Sequence, residues 1–301
     1  MEMRTITLEE HYATPEFMSG PGRQITQQAE AANAHPAVAA GLARLIDQLC
    51  DIGDGRIENM DAARIDVQVL SLTAPGLEQL GADDAVPLAG RTNDTLAEAV
   101  RRHPDRLAGF AALPTADPDA AADELRRAIT ALGFKGALIN GHSRGRYLDD
   151  KFFWPILACA EALQVPLYLH PTPPPQSVIT TWYAGNYSAG VMGALATAGW
   201  GWHIDTAVHV IRLILSGVFD RYPGLQLVVG HLGETLPFML PRLERALPPE
   251  LTGLERPFAA YLRQTCITPS AASTGRLHSS ICSSKSVQIG SCSPPTIPTA
   301  R

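Results

Sequence analysis

Short apolar segments alternate with longer amphipathic segments along most of this chain, and this alternation constrains the fold more than any other feature of the sequence. The short segments have the composition of buried strands, and the long ones have apolar residues at helical spacing. Strands are predicted at Arg4–Leu8, Val67–Leu72, Leu107–Leu113, Gly136–Asn140, Val165–His170 and Leu225–Gly230. Helices are predicted at Glu58–Ile65, Leu88–Arg102, Asp119–Leu132, Phe152–Leu163, residues 203–217 and Glu234–Arg245. Such alternation is typical of parallel sheets built from βα units.

The chain length of 301 residues suits two parallel α/β architectures. A (β/α)₈ barrel usually takes about 250 residues or more, and a doubly wound sheet is the alternative. No glycine-rich fingerprint for a dinucleotide or a phosphate follows a predicted strand, which weakens the alternative. The predicted fold is therefore an α/β protein with a (β/α)₈ barrel, in which residues 14–55 form a cap inserted after the first strand.

Composition excludes several functional classes. The formal net charge is −6, which argues against a dedicated nucleic-acid-binding protein. No apolar run reaches the roughly 18 residues of a membrane span, and the N terminus lacks the apolar core of a signal peptide. Cys50 and Cys159 are expected to be buried, reduced thiols. The expectation is a cytoplasmic protein without nucleic-acid or membrane partners.

Side chains that can bind metals lie at the ends of three predicted strands. The first strand leads into Glu9, Glu10 and His11, a middle one ends at His170, and a late one opens on His231 and Glu234. Residues two apart in extended chain point the same way, so Glu9 and His11 can face one cavity. In a parallel barrel these strand ends face the active-site mouth.

A carboxylate combined with imidazoles suits a divalent ion such as Zn²⁺, Mn²⁺ or Mg²⁺. Each position also has an ordinary structural interpretation, as a capped histidine, an exposed turn or a strand-to-helix connection. The coincidence of three such positions in one alternating pattern favours a site. A fourth ligand, a carboxylate, is expected from a later strand end. Arg242 is either a contact for an anionic substrate or part of a solvated helix face, and His203 and His209 are assigned mostly structural or substrate-side roles.

Seven segments carry a resemblance to a known family. They read TLEEHYATPE, SLTAPG, RHPDRLAGFAALP, GFKGALINGHS, VPLYLHPTPP, GVFDRYPGLQLVVGHLGE and LPFMLPRLER. From about residue 4 to about residue 270 the sequence resembles the amidohydrolase-related decarboxylases, which include aminocarboxymuconate semialdehyde decarboxylase. Within that group it is most similar to the γ-resorcylate and 2,3-dihydroxybenzoate decarboxylases, and His11 brings it nearer the γ-resorcylate branch.

The resemblance implies a distorted (β/α)₈ barrel of the metal-dependent hydrolase superfamily, with one divalent metal and no organic cofactor. Carried over by position, Glu9, His11 and His170 would be metal ligands. His231, with Glu234 behind it, would be the catalytic histidine beside the metal and the substrate. The resemblance also implies a homodimer or homotetramer that releases CO₂ from a small hydroxylated aromatic acid.

The family pattern further requires a late aspartate that is both the fourth ligand and the proton donor, and the sequence does not contain it. Residues 256–301 have no Asp or Glu. A permitted codon choice for residues 282–300, read two bases later, gives LLEVGPDRILFSADYPYG, which is the expected strand and aspartate motif. We interpret residues 282–301 as an aberrant, frameshifted tail, so the last strands of the barrel are truncated or altered; the alternative is a natural low-complexity tail.

The sequence therefore predicts a barrel over residues 1–281, followed by the aberrant tail. The predicted activity is metal-dependent, non-oxidative decarboxylation of a hydroxybenzoate-type acid, impaired in this chain by the missing aspartate. Two alternatives stay open. One is a lactonase-like hydrolase that uses a metal-activated water, and the other is an inactive truncated paralogue.

Overall fold

A computed structural model describes residues 4–23, residue 25 and residues 36–267. The strands are β1 (Ile6–Tyr12), β2 (Val67–Leu72), β3 (Leu107–Gly109), β4 (Ala111–Ala112), β5 (Ala137–Asn140), β6 (Leu167–His170), β7 (Leu227–Val229) and β8 (Cys266–Ile267). Every pairing between these strands is parallel. The six predicted strands are thus confirmed to within a few residues, whereas the helix predicted from Leu88 begins earlier, at Ala82.

The order of the strands decides between the two predicted architectures. Neighbours in the sheet follow the chain, as β1-β2-β3 and then β4-β5-β6-β7-β8. A doubly wound sheet reverses its strand order at a switch point, and the described strands contain no reversal. The two groups meet at Phe110, whose N–H donates to Leu70 while the next N–H donates to Gly136. The single segment that contains β3, Phe110 and β4 therefore pairs with β2 through its first half and with β5 through its second half. This pairing joins the two groups of strands into one wall, as in a barrel.

Helices lie between the strands. The numbered α-helices are α1 (Pro15–Ser19), α2 (Pro36–Cys50), α3 (Asp54–Ala63), α4 (Ala82–Arg102), α5 (Pro118–Thr130), α6 (Trp154–Leu163), α7 (Ala189–Ala196), α8 (Gly201–Leu215), α9 (Val218–Arg221), α10 (Leu236–Ala246), α11 (Pro249–Thr252) and α12 (Phe258–Thr265). Single turns occur at Lys151–Phe153, Gln176–Val178, Ile179–Tyr183 and His231–Gly233. No helix in the described part of the chain is both long and apolar enough to cross a membrane.

Two groups of apolar side chains correspond to the two faces of the strands. A small group takes one residue from each of five strand segments, and Leu8 packs against it from β1; its members are Val69, Phe110, Leu138, Tyr168 and Val228. The larger group joins the opposite faces of the strands to the helices, for example Leu70 and Ile139 to Leu96 and Ile156. Because residues alternate along a strand, one set fills the inside of the wall and the other binds the helices.

Two predicted boundaries were wrong where the backbone is irregular. The first strand was predicted to end at Leu8, but β1 runs from Ile6 to Tyr12, so Glu9 and His11 lie within it. The helix predicted from Glu234 begins only at Leu236, because Glu234 and Thr235 have left-handed φ angles of 53° and 69°. The aberrant tail, with the altered last strands predicted for it, lies outside the described residues.

The side chain of Asn93 completes the hydrogen bonding of β4. It is fully buried, accepts the Ala112 N–H at 2.9 Å and donates to the Ala112 carbonyl at 3.0 Å. We expect Asn93→Ala to lower the free energy of unfolding by about 2–4 kcal/mol, because two buried backbone groups lose their partners. Urea unfolding measures this. The control Asn59→Ala, at an exposed amide on α3, should cost about 0.5 kcal/mol or less; equal losses would contradict the assignment.

Candidate active site

The predicted site residues converge at one end of the parallel strands. Glu9 and His11 lie in β1, His170 is the last residue of β6, and His231 follows β7 after one glycine. The side-chain ligand atoms of Glu9, His11 and His170 all lie within 4.8 Å of one another. Nε2 of His231 lies 3.0 Å from Oε1 of Glu9, so three segments far apart in sequence supply one compact polar group, as expected for the carboxyl ends of parallel strands.

A β-bulge turns Glu9 toward this group. The β1–β2 register shifts between Thr7 and Glu10, where three steps along β1 match two along β2. Leu8 packs against the apolar group inside the wall, and regular alternation would then turn Glu9 outward. The extra residue allows both Leu8 and Glu9 to face inward, with His11 on the same face as Glu9.

Hydrogen bonds from neighbouring strands orient both histidines of the cluster. Nδ1 of His11 lies 3.2 Å from the Ser71 hydroxyl, and Nδ1 of His170 lies 2.9 Å from Oδ1 of Asn140. Because Nδ1 of each ring is hydrogen-bonded, Nε2 is the nitrogen available to the cluster. Hydrogen bonds of this kind usually set the orientation of metal-binding histidines. The two rings meet edge to face, with centroids 4.7 Å apart.

Glu9 is the centre of charge in the cluster. Its Oε1 lies 3.4 Å from Nε2 of His170 and 3.0 Å from Nε2 of His231, while Oε2 accepts the hydroxyl of Tyr168. Burial alone would raise the pKa of Glu9, but hydrogen bonds and charges from the two histidines hold it far below its ordinary value. Burial, reinforced by His170, lowers the pKa of His11 to about 3, so His11 has a free lone pair at neutral pH.

The chemistry of this donor set fits a divalent metal. Two ligands of one tetrahedral ion at the usual bond lengths lie about 3.4 Å apart, which matches the Glu9 Oε1 to His170 Nε2 separation of 3.4 Å. One carboxylate oxygen and two imidazole nitrogens are typical of catalytic sites that keep a position open. Glu9, His11 and His170 could therefore hold the ion expected from the sequence.

His231 and Glu234 form a second part of the site, joined to the first through Glu9. Nδ1 of His231 lies 2.6 Å from Oε1 of Glu234, and its Nε2 faces Glu9. Burial alone would lower the pKa of His231, but the hydrogen bonds to Glu234 and Glu9 outweigh burial and raise it to about 10. Oε2 of Glu234 is bound by Nδ1 of His203 at 2.7 Å.

Sequence reasoning placed five of the six predicted residues correctly near one another: Glu9, His11, His170, His231 and Glu234. Arg242 is exposed on α10, and the described residues offer it no hydrogen bond or ion pair with the cluster; its contact with a substrate stays a prediction. His209 has the structural role expected, because its Nε2 accepts the buried Leu148 N–H at 2.8 Å.

Four contributors were missed: Asn140, Glu78, Ser71 and Tyr168. His203 was expected to have a structural or substrate-side role, and it binds Glu234. The buried Glu78 carboxylate accepts the Asn140 N–H at 2.7 Å and so supports the residue that orients His170. Its Oε2 has no hydrogen-bond partner among the described residues. Burial raises the pKa of Glu78 to about 7, against hydrogen bonds from Asn140 that lower it. The only sequence signal for Asn140 was its position at the end of a predicted strand.

Comparison with known proteins places this geometry in a family. The amidohydrolase family model (Amidohydro_2) matches residues 30–249. The chain belongs to the amidohydrolase family. The matched segment contains His170, His231 and Glu234, whereas Glu9 and His11 lie before it.

Proteins of similar sequence and structure match most of this chain. A γ-resorcylate decarboxylase of Rhodococcus jostii is 40% identical over 249 residues, covering 79% of this chain and 70% of the relative. Decarboxylase OrsB of Emericella nidulans is 40% identical over 240 residues, covering 79% and 67%. The 5-carboxyvanillate decarboxylase of Novosphingobium aromaticivorans, solved with manganese and 4-hydroxy-3-methoxy-5-nitrobenzoic acid, superposes with a TM-score of 0.77 at 35% identity, covering 88% and 78%. The barrel fold and the resemblance to aromatic-acid decarboxylases are thereby confirmed.

The buried Glu78 makes stability depend on pH. Because its pKa of about 7 in the folded chain exceeds the ordinary 4.5, the folded state binds the proton more tightly than the unfolded state does. That stabilisation is complete below pH 4.5 and is lost as the pH rises through about 7. Glu78→Gln should therefore gain about 2.5 kcal/mol relative to the wild type between about pH 5 and pH 8, measured by urea unfolding at both values. Glu58→Gln, at an exposed position on α3, should show no such gain; a pH-independent difference for Glu78→Gln would contradict the assignment.

Proposed function

We propose that this chain is a metal-dependent carboxy-lyase that decarboxylates a small hydroxylated aromatic acid. The observation that carries the proposal is the cluster of Glu9, His11 and His170 directly beside His231. The names of the similar proteins support the reaction class, because they are decarboxylases of γ-resorcylate and 5-carboxyvanillate.

One divalent ion would be held by Glu9, His11 and His170, without an organic cofactor. The candidates are Zn²⁺, Mn²⁺ and Mg²⁺, and the manganese in the similar 5-carboxyvanillate decarboxylase favours Mn²⁺. When bound, the ion supplies Lewis-acid polarisation of substrate oxygen atoms. Asn140 and Ser71 contribute by keeping the Nδ1 atoms of the histidines engaged, so that each Nε2 is directed at one point.

The reaction replaces the bond between the ring and the carboxylate with a carbon–hydrogen bond. The ring carbon takes up a proton, the carboxylate leaves as CO₂, and the electrons of the broken bond restore aromaticity. His231 stands beside the cluster with Nδ1 fixed by Glu234, and hydrogen bonding to carboxylates raises its pKa to about 10. Both N–H groups of a protonated His231 face Glu9 and Glu234, so His231 would favour an anionic substrate beside the cluster through its charge. The resemblance implies that an aspartate donates the proton that the ring takes up, and this aspartate is absent from the chain.

We further propose that residues 1–281 form one barrel with its cap at residues 14–55, and that residues 282–301 come from a shifted reading frame. Under this interpretation the chain lacks one ligand and the proton donor, because residues 256–301 contain no carboxylate side chain. Weak metal binding and low activity are the physical consequence.

An assay of CO₂ release from 2,6- and 2,3-dihydroxybenzoate with Mn²⁺ tests the activity. We expect the chain translated in the shifted 3′ frame to release CO₂, and the chain as written to be about 10²–10⁴-fold slower, which is the usual contribution of a positioned proton donor. Titration with Mn²⁺ should show weaker binding by the chain as written.

Three other outcomes would each reject a specific part of the proposal. Full activity and tight metal binding by the chain as written would contradict the interpretation of the tail. Lactone opening without CO₂ release from either chain would favour the hydrolase alternative. An inert pair of chains that still oligomerise would favour a non-catalytic paralogue.

We propose that the chain forms a homodimer or homotetramer through an uncharged, apolar surface. Residues 171–204 contain no Asp, Glu, Lys or Arg. Within them Trp182 is 62% exposed, and Tyr187, Val191 and Trp200 are each at least 43% exposed. Contiguous exposed apolar surface is typical of protein–protein contacts.

The free thiols of Cys50 and Cys159 fit the proposed cytoplasmic location.

Sedimentation velocity tests the surface formed by residues 171–204. We expect the wild type to sediment as a dimer or tetramer and Trp182→Glu to sediment as a smaller species, because a charge on an apolar contact stays desolvated and unpaired. The control Val86→Glu places the same charge on the exposed face of α4 and should leave the species unchanged. A wild-type monomer would refute the proposal.

A further inference from the structure

His203 binds the buried carboxylate that holds the catalytic histidine. The Glu234 side chain is 0% exposed, and its two oxygens bind two different imidazoles. Oε1 lies 2.6 Å from Nδ1 of His231, and Oε2 lies 2.7 Å from Nδ1 of His203. The rings of His203 and His231 meet edge to face, with centroids 4.9 Å apart. The three side chains therefore form one hydrogen-bonded row that ends at Glu9.

The backbone beneath this row is in an unusual conformation. His231, Leu232, Glu234 and Thr235 all have φ between 46° and 69°, a region that costs energy for residues other than glycine. Such conformations persist when surrounding contacts determine them. His203 comes from the first turns of α8, a separate element, and so it supports the turn from outside.

The distances favour hydrogen bonds over a second metal ion among these three residues. Two ligands of one tetrahedral ion lie about 3.4 Å apart, whereas the nitrogen–oxygen separations here are 2.6 Å and 2.7 Å. Nε2 of His203 also faces an acceptor, the Ala198 carbonyl at 3.2 Å. Because an ionised carboxylate oxygen can only accept, Nδ1 of His203 is the donor toward Oε2 of Glu234, and Oε1 accepts from Nδ1 of His231.

We propose that His203 is a positioning residue: by binding Oε2 of Glu234 it holds Oε1 in place to orient His231. Without His203, Oε2 of a fully buried carboxylate would lose its partner, and Glu234 would rotate or take up a proton. Either change alters the environment of Nδ1 of His231. The effect on turnover rests on the proposed decarboxylase function, whereas the effect on the His231 ring does not.

The test compares His203→Phe with His203→Gln in the full-length chain. Nuclear magnetic resonance of ¹⁵N-histidine-labelled protein, without added metal, reports the ring nitrogens of His231. We expect His203→Phe to shift these signals, and His203→Gln, whose amide N–H can still donate to Glu234, to keep them close to the wild type. Where CO₂ release is measurable, His203→Phe should lower kcat by about 10–100-fold, the usual effect of losing an outer contact, with KM nearly unchanged.

The control is His103→Phe, at a histidine that contacts Asp54; it should move neither the His231 signals nor kcat. Unchanged His231 signals in His203→Phe would overturn the proposal. Binding of a second equivalent of Zn²⁺ that disappears in His203→Phe would overturn it in favour of a metal site. If His203→Phe does not fold, loss of the wild-type signals in His203→Gln would also contradict it. If CO₂ release is absent even from the chain translated in the shifted 3′ frame, while the His231 signals shift as expected, the decarboxylase function is rejected and the role of His203 stays intact.

Discussion

The Glu9 carboxylate is the interaction on which the rest of the site depends. A buried anion is costly unless hydrogen bonds or opposite charges compensate it, and the partners of Glu9 come from two other strand ends. His170 and Tyr168 approach from β6, and His231 approaches from the end of β7. These contacts require β1, β6 and the end of β7 to keep a fixed relative position, and a parallel wall whose strands follow chain order provides it. The contacts of Glu9 and the pairing of the strands therefore stabilise the same relative position of β1, β6 and the end of β7.

Two departures from regular backbone bring the charged groups together. The bulge in β1 turns Glu9 inward, and the left-handed residues after β7 bring Glu234 beneath His231. Each strained residue costs on the order of 1–3 kcal/mol and persists where surrounding contacts determine it. Here the contacts are short hydrogen bonds to buried carboxylates, which are stronger than neutral ones. The irregular backbone thus positions the polar side chains, and the hydrogen bonds of these side chains stabilise the irregular backbone.

This dependence explains what the sequence could predict. Alternation between strands and helices identified the barrel, and strand-end positions identified His170 and His231, because both follow from local periodicity. The spacing of two residues correctly predicted that Glu9 and His11 lie on the same face. The bulge that turns this face inward could not be predicted from the sequence. His203 lies on a helix 31 residues before its partner Glu234, so only the tertiary structure reveals their contact. The helix was wrongly predicted to start at Glu234, because residue propensities do not include the tertiary contacts that hold Glu234 and Thr235 in the left-handed conformation.

The balance of charge around Glu9 also favours an anionic substrate. Burial keeps His11 neutral, with a pKa of about 3, so under the proposed function a divalent ion and Glu9 together would carry one net positive charge. Glu234 is already engaged by His203 and His231, and so it does not compensate that charge. A buried net charge is unfavourable unless it is paired, and one carboxylate group from a substrate pairs it. In the chain as written, which lacks the fourth, carboxylate ligand, a neutral lactone would leave this charge unpaired, whereas an aromatic acid would pair it.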